Sequence, residues 1–447
     1  MRVARTVRNP AALVPLAFLA AIAVGTGLMM LPAARAGEGH APFVTALFTA
    51  TSAVCVTGLT VVDTATYWSG FGHVLITLLT ELGGFGIITA ATLLTLTVSN
   101  RLGIRTRLLA QAEGRSLGLA NVRQVLLRVG QTMLACQGVI AVVLAARFYF
   151  GYDYGLGRSI WYGVFHAVSA FNNAGFALFS DSLIGFVGDW WICVPLTLGV
   201  IAGSVGFPVL FEAARERWSP ATWSTHTRLT VIGTVALLVI GFVVMLTFEW
   251  SNPRTFGPLG VADKVLAAFT QGSMPRSGGF ASVDIGGMNN ETLVVVIALM
   301  FIGGGSASTA GGIKLTTFLL LGYVIWAEVR GEQDVVIGRR RIAETVQRQA
   351  LSVALLGVAV VAGGTLALVA TAHNPLPLEK ILFEVTSAFG TVGLSTGITP
   401  GLPMPAHLIL IVLMFVGRVG TIATATALAL RSKPRLYRYP EERPIVG

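Results

Sequence analysis

Four stretches of the chain obey a single pattern, Phe-x-x-x-Ser-x-x-x-x-x-Gly-(Leu/Phe). They read F-T-A-T-S-A-V-C-V-T-G-L (48–59), F-H-A-V-S-A-F-N-N-A-G-F (165–176), F-T-Q-G-S-M-P-R-S-G-G-F (269–280) and F-E-V-T-S-A-F-G-T-V-G-L (383–394). Their glycines, Gly58, Gly175, Gly279 and Gly393, stand 117, 104 and 114 residues apart, so one unit is repeated four times. Each copy lies between two apolar runs: roughly 11–32 and 71–98, 129–146 and 190–210, 229–248 and 292–328, 351–372 and 407–430. A helix crosses a bilayer with about 20 apolar residues, and each run is near or above that length. Charged residues make up only 12% of the chain, half the roughly 25% usual in soluble proteins. The unit is therefore a helix, a short half-helix, a glycine turn and a second helix. In the first copy the half-helix covers about 41–52, too short to span, so it re-enters and stops midway. The sequence predicts an all-α integral membrane protein with eight membrane helices in four helix–pore-loop–helix repeats around a pseudo-fourfold pore. The repeats occupy 1–98, 99–210, 211–328 and 329–447, the last including a cytoplasmic tail.

Charge sets the orientation. Of 31 Lys and Arg, 22 fall in the N-terminus (Arg2, Arg5, Arg8), the connections 99–128, 211–228 and 327–348, and the tail after 430. Seven lie in the opposite loops, which carry 11 Asp and Glu, among them Asp63, Asp181, Asp284 and Glu379. The positive-inside rule then places both termini in the cytoplasm. The net charge of +10 thus reflects topology rather than nucleic-acid binding, and the acidic outer face favours cations. The three cysteines, Cys55, Cys136 and Cys193, are too scattered for a zinc site or a disulfide framework. The first apolar run exceeds the 7–15 residues of a signal-peptide core and reads as a retained helix.

The turns suggest the chemistry. Non-helical backbone at mid-membrane depth is tolerated where protein buries it or where it lines a watery cavity. Rings of backbone carbonyls there can replace the hydration shell of a monovalent cation, and glycine allows the φ > 0 conformations and close approach this needs. The half-helices point their C-terminal ends, the negative end of the macrodipole, at the centre. A cation pathway follows. Residues 302–316, I-G-G-G-S-A-S-T-A-G-G-I-K-L-T, resemble a phosphate loop only superficially. A Walker A loop has its lysine directly after the second glycine, whereas Lys314 follows Ile313. Five glycines here, each costing about 1 kcal/mol in a helix, disfavour a continuous span. A glycine kink for helix packing is the plainer alternative. Arg418 stands inside the last apolar run, where a charge costs about 2.5–3.5 kcal/mol on insertion scales and is a functional candidate by default. Glu81 has no assignable partner in the sequence, Lys314 is expected to snorkel toward the cytoplasm, and His73 and His166 are expected at the membrane interface.

These motifs resemble the Ktr/Trk/HKT superfamily of potassium transporters, most closely its KtrB-type membrane subunits. The resemblance covers essentially the whole chain, through S-A-V-C-V-T-G-L, S-A-F-N-N-A-G-F, S-A-F-G-T-V-G-L and G-G-G-S-A-S-T-A-G-G-I-K. The third turn, R-S-G-G-F, departs from the usual Arg-Thr-Ala-Gly-Phe, and Cys55 stands where serine is common. The resemblance implies potassium uptake across the cell membrane, stimulated by sodium, with K⁺, and Na⁺ in second place, as the ions bound. It implies a selectivity filter built from Cys55, Val56, Thr57 and Gly58, Asn172, Asn173, Ala174 and Gly175, Arg276, Ser277, Gly278 and Gly279, and Gly390, Thr391, Val392 and Gly393. Potassium would bind at their backbone carbonyls. It implies an intramembrane gating loop of Gly303, Gly304, Gly305, Ser306, Ala307, Ser308, Thr309, Ala310, Gly311 and Gly312, with Arg418 as an electrostatic barrier beside it. It further implies a homodimer embedded in membrane lipids and a cytoplasmic nucleotide-binding ring of the KtrA type. No nucleotide motif occurs in the chain, and its basic inner connections, such as G-R-R-R-I, would receive that ring. Two rival readings remain: a sodium-coupled symporter with alternating access, which an inverted repeat would favour, and an intramembrane enzyme. The latter needs a nucleophile–base pair that the helices do not supply.

Overall fold

The computed structural model describes residues 10–101, 122–216, 219–338, 340–371 and 376–420. The basic tail after 430, Arg2, Arg5 and Arg8, and most of the connection 99–128 lie outside the described residues. Helix dominates, as the apolar runs require. The first unit comprises α1 (Pro10–Met29), α2 (Phe43–Val54) and α3 (Gly70–Arg101). The second comprises α4 (Val122–Gly151), α5 (Leu156–Phe171), α6 (Trp190–Val205) and α7 (Phe207–Arg215). The third comprises α8 (Thr225–Glu249), α9 (Val261–Ser273), α10 (Asn290–Phe301) and α11 (Leu315–Val329). A two-residue ribbon, β1 (Val336–Ile337) with β2 (Arg340–Arg341), leads to the fourth unit. That unit comprises α12 (Glu344–Thr371), α13 (Leu378–Gly390) and α14 (Met404–Phe415), which continues as a π-helical turn over Val416–Gly420.

The short helices α2, α5, α9 and α13 run 12, 16, 13 and 13 residues. At 1.5 Å per residue they are about 18–24 Å long, less than a ~30 Å hydrocarbon core. Proline or glycine opens each of them, at Pro42, Gly155, Gly260 and Pro377. The units close into a ring. The helix that follows each turn packs on the next unit's short helix: α3 on α5, α6 on α9, α10 on α13 and, completing the circle, α14 on α2.

Eight uninterrupted spans are not what the described residues form. Four helices there are long and apolar enough to cross a membrane, Gly70–Ile87, Gln124–Gly151, Thr225–Glu249 and Glu344–Thr371, with α6 and α7 a fifth if counted as one bent span. The expected run 190–210 turns by 95° between α6 and α7. Gly206, at φ +100°, makes that corner, and Pro208 stands in the first turn of α7. The expected run 292–328 divides into α10 and α11 around residues 302–314.

Candidate functional site

Each short helix ends in a turn of the same unusual backbone. Two residues per turn, separated by one, have positive φ: Val56 and Gly58, Asn173 and Gly175, Ser277 and Gly279, Thr391 and Gly393. Side-chain-bearing residues resist this region, so the surroundings must hold them there. In three turns the hold is a backbone bond back to the motif serine: Thr57 N–H to the Ser52 carbonyl (2.7 Å), Ala174 to Ser169 (2.8 Å) and Val392 to Ser387 (2.9 Å). This is the bond pattern that terminates helices in a left-handed residue. The serine hydroxyls add a second tie: Ser169 and Ser387 donate to the Phe176 and Leu394 carbonyls (2.8 and 2.6 Å), and Ser52 accepts from Gly58 N–H (3.0 Å). The third turn is built differently. Ser273 bonds the Phe269 carbonyl instead, and Gly278 N–H reaches the Met274 carbonyl.

The four turns meet edge to edge. A methyl on Gly58 would lie 2.1 Å from the Ala174 carbonyl oxygen, and one on Gly175 would lie 2.5 Å from Gly279 Cα. On Gly279 it would meet the Val392 oxygen at 2.6 Å, and on Gly393 the Thr57 oxygen at 2.1 Å. All sixteen residues expected in the turns are buried apart from Gly58 and Gly393, which are partly exposed. The side chains of two of them face elsewhere. Arg276 reaches Thr234 on α8 (3.3 Å), and Asn172 donates to Glu81 Oε2 (2.6 Å). Glu81, left without a partner by the sequence, also accepts from Gln137 (2.9 Å), so it ties α3 and α4 to the end of α5.

Against the other side of this ring lies the segment Gly303–Gly312. Its ends are drawn together by Gly303 N–H to the Ile313 carbonyl (2.8 Å) and Leu315 N–H to Gly304 (3.0 Å). Between them it touches three turns: Thr309 Oγ1 bonds Asn173 Oδ1 (2.6 Å), Gly311 N–H points at Ser277 Oγ (3.4 Å), and a Cβ on Gly311 would meet Thr391 Oγ1 at 2.0 Å. The α6–α7 corner cradles the segment. Gly305 and Thr309 donate to the Ser204 and Gly203 carbonyls (2.8 and 3.2 Å), and Phe207 N–H donates to Ala307 (3.3 Å). Ser306 Oγ lies 3.1 Å from Thr316 Oγ1, and Ser308 Oγ bonds the Gly305 carbonyl (2.6 Å).

Two basic side chains clamp consecutive carbonyls of the segment. Arg418, fully buried on the π-helical turn, donates to the Thr309 carbonyl, with its other arm 3.5 Å from the Gly83 carbonyl on α3. Gly417 lets that turn sit on the end of α13, since a Cβ there would be 1.8 Å from the Phe389 oxygen. Lys314 donates to the Ala310 carbonyl at 2.6 Å. It therefore turns to the segment rather than snorkelling to the cytoplasm. His166 is buried behind the second turn, with Nδ1 2.7 Å from the Tyr162 carbonyl and Nε2 accepting from Leu178 N–H at 3.2 Å. His73 is half-buried and bonds the Thr64 carbonyl (2.8 Å).

The chain is similar to known proteins. A family model described as a cation transport protein, TrkH, matches residues 13–435. The Ktr system potassium uptake protein B of Bacillus subtilis (strain 168) is 37% identical over 98% of this chain and 97% of its own length. The protein of the same name from Vibrio alginolyticus is 36% identical over 90% of this chain and 88% of its own. The potassium/sodium uptake protein NtpJ of Enterococcus hirae is 33% identical over 98% and 97%. Among solved structures, the potassium transporter TrkH from Vibrio parahaemolyticus superposes with a TM-score of 0.73 at 20% identity, over 95% of this chain and 85% of that one.

Proposed function

The chain belongs to the TrkH family of cation transport proteins, and from that premise we propose that it takes up potassium across the cell membrane. Ions would pass through the ring of four turns, which acts as the selectivity filter. The single observation that carries this reading is the ring itself. The carbonyl oxygens of Ala174, Val392 and Thr57 lie against the glycine of the neighbouring turn, and alternating backbone hand turns successive carbonyls toward one side. Carbonyls so gathered suit a dehydrated monovalent cation. Among the described residues, the buried Thr57 and Thr391 hydroxyls have no hydrogen-bond partner, which leaves further oxygen available. Four helix C-termini aim their negative dipole ends at the same place.

In this reading Gly303–Gly312 is the gate. It lies across the inner side of the ring, and the Arg418 guanidinium that clamps it repels K⁺ in a low-dielectric passage. Opening requires Arg418 and Lys314 to release the Thr309 and Ala310 carbonyls. Sodium stimulation is part of the proposal, supported by the potassium/sodium uptake name of the Enterococcus relative. So is a regulatory partner on the cytoplasmic side, because the Bacillus and Vibrio relatives are named as protein B of a system. We take that partner to be a KtrA-type ring bound to a homodimer of this chain, with both termini cytoplasmic. The same-orientation repeats speak for a pore over an alternating-access symporter. The test is uptake by a strain deprived of its own potassium systems. Restored growth at low K⁺ is expected; failure to restore it with the protein in the membrane and its partner present would refute the reading.

A further inference from the structure

Three of the four turns share a device that differs in chemistry from repeat to repeat. Leu178, Ser282 and Thr396 each stand three residues past a ring glycine, where the chain leaves the turn. The backbone N–H of each is held by a buried side chain of its own short helix: Leu178 by His166 Nε2 (3.2 Å), Ser282 by Gln271 Oε1 (2.9 Å) and Thr396 by Glu384 Oε1 (2.9 Å). His166 bonds the Tyr162 carbonyl through Nδ1, which puts the proton there and leaves Nε2 as the acceptor. Glu384 is fully buried and also accepts from Ser395 (2.6 Å) and Thr399 (2.7 Å). In the first repeat the matching Thr49 turns its hydroxyl to the Thr45 carbonyl.

Resting on the filter reading above, we infer that His166, Gln271 and Glu384 are positioning residues for ion selection. Each pins the outgoing strand of its turn, so the ring carbonyls keep their spacing when an ion enters. The motif serines fasten the inner part of the second and fourth turns to the same strands. Those two turns are thus tied at both points, and the ring is stiffer along one diagonal than the other. Such stiffness acts on which ion is accepted, not on how fast the gate opens.

The experiment compares His166→Ala and Glu384→Ala with His166→Gln and Glu384→Gln, which keep an acceptor oxygen at the site. K⁺ uptake is measured as KM and maximal rate, together with the ratio of K⁺ to Na⁺ uptake. The K⁺ concentration that half-saturates thermal stabilisation of the purified protein is measured alongside. Expected are a rise of about tenfold or more in KM, a fallen K⁺/Na⁺ ratio and a nearly unchanged maximal rate in the alanine variants, with rescue by glutamine. Folded alanine variants with wild-type KM and ion ratio would overturn the inference. If the alanine variants do not fold, the glutamine variants decide. An affinity close to wild type supports positioning, whereas a tenfold loss in Glu384→Gln, as a purely electrostatic role requires, overturns it. Gly175→Ala serves as the reference: if it too leaves K⁺ affinity unchanged, the filter reading fails as well.

Discussion

A single methyl group tests the ring. Gly175 has φ +70°, and its missing Cβ would stand 2.5 Å from Gly279 Cα, backbone that cannot step aside. Strain of about 1–3 kcal/mol displaced into the ring corresponds to roughly tenfold or more in affinity. Gly175→Ala is therefore expected to raise the KM for K⁺ by that order in uptake assays, with Gly58→Ala and Gly393→Ala behaving alike; unchanged KM in all three would contradict a filter. Arg418→Ala removes a cation bonded to the proposed gating segment and is expected to raise K⁺ flux in liposomes, whereas a fall would assign the arginine to folding. The ring glycines were legible in the sequence because each combines φ > 0 with a neighbouring turn standing where a Cβ would be, so only glycine fits and it recurs at one spacing. Arg418 was legible because a charge in an apolar run is costly. His166, Gln271 and Glu384 were not, since three different side chains do one task and Gln271 does it one position later in its motif than the other two. The partners of Glu81 and Lys314 depend on helices from elsewhere in the chain or on the fold of the segment itself.

Between α10 and α11 the element at stake is Gly303–Gly312. Its glycines are matters of space as well as flexibility: a Cβ on Gly303 would be 1.9 Å from the Gly311 oxygen, and one on Gly305 2.2 Å from the Val205 oxygen. Shortening the segment by three residues is expected to raise flux and lessen its dependence on the cytoplasmic partner. Combined with Arg418→Ala, the gain should fall short of additive if, as proposed, the bonded segment and arginine form one barrier. Liposome flux of the two single variants and the double variant reads this directly, and full additivity would separate the two. The break at this segment was legible from its glycine content. The corner between α6 and α7 was not. Gly206-Phe-Pro208 sits inside a run without a charged residue, and hydropathy records burial in lipid, not direction. Yet that corner supplies the carbonyls of Gly203 and Ser204 that hold the segment, so the second repeat helps shape the proposed gate of the third.

At the scale of the molecule, four units close because each second helix leans on the next short helix, and α14 returns to α2. The repeat pattern made that plan readable, but not the number of unbroken spans, since a repeat fixes the order of elements and not where they bend. After α11, the ribbon exposes Arg340 and Arg341, the latter paired with Asp334 at 2.8 Å. Such an exposed pair contributes little to stability. Neutralising Arg340 and Arg341 is accordingly expected to weaken co-purification of the proposed cytoplasmic partner while leaving partner-free flux intact. Retained partner binding with lost flux would place these arginines in the pore's own service. Arg339 completes the cluster but lies outside the described residues. The central claim is an ion path through the four-turn ring, closed from below by Gly303–Gly312. Its most direct test is rubidium flux into potassium-loaded liposomes carrying the purified chain, intact or with the segment shortened. Slow flux from the intact protein, several-fold faster flux after shortening, and competition by external K⁺ but not by equal Na⁺ are the expected results. Folded protein that passes no rubidium in either form, or passes it with Na⁺ competing as well as K⁺, would contradict the account.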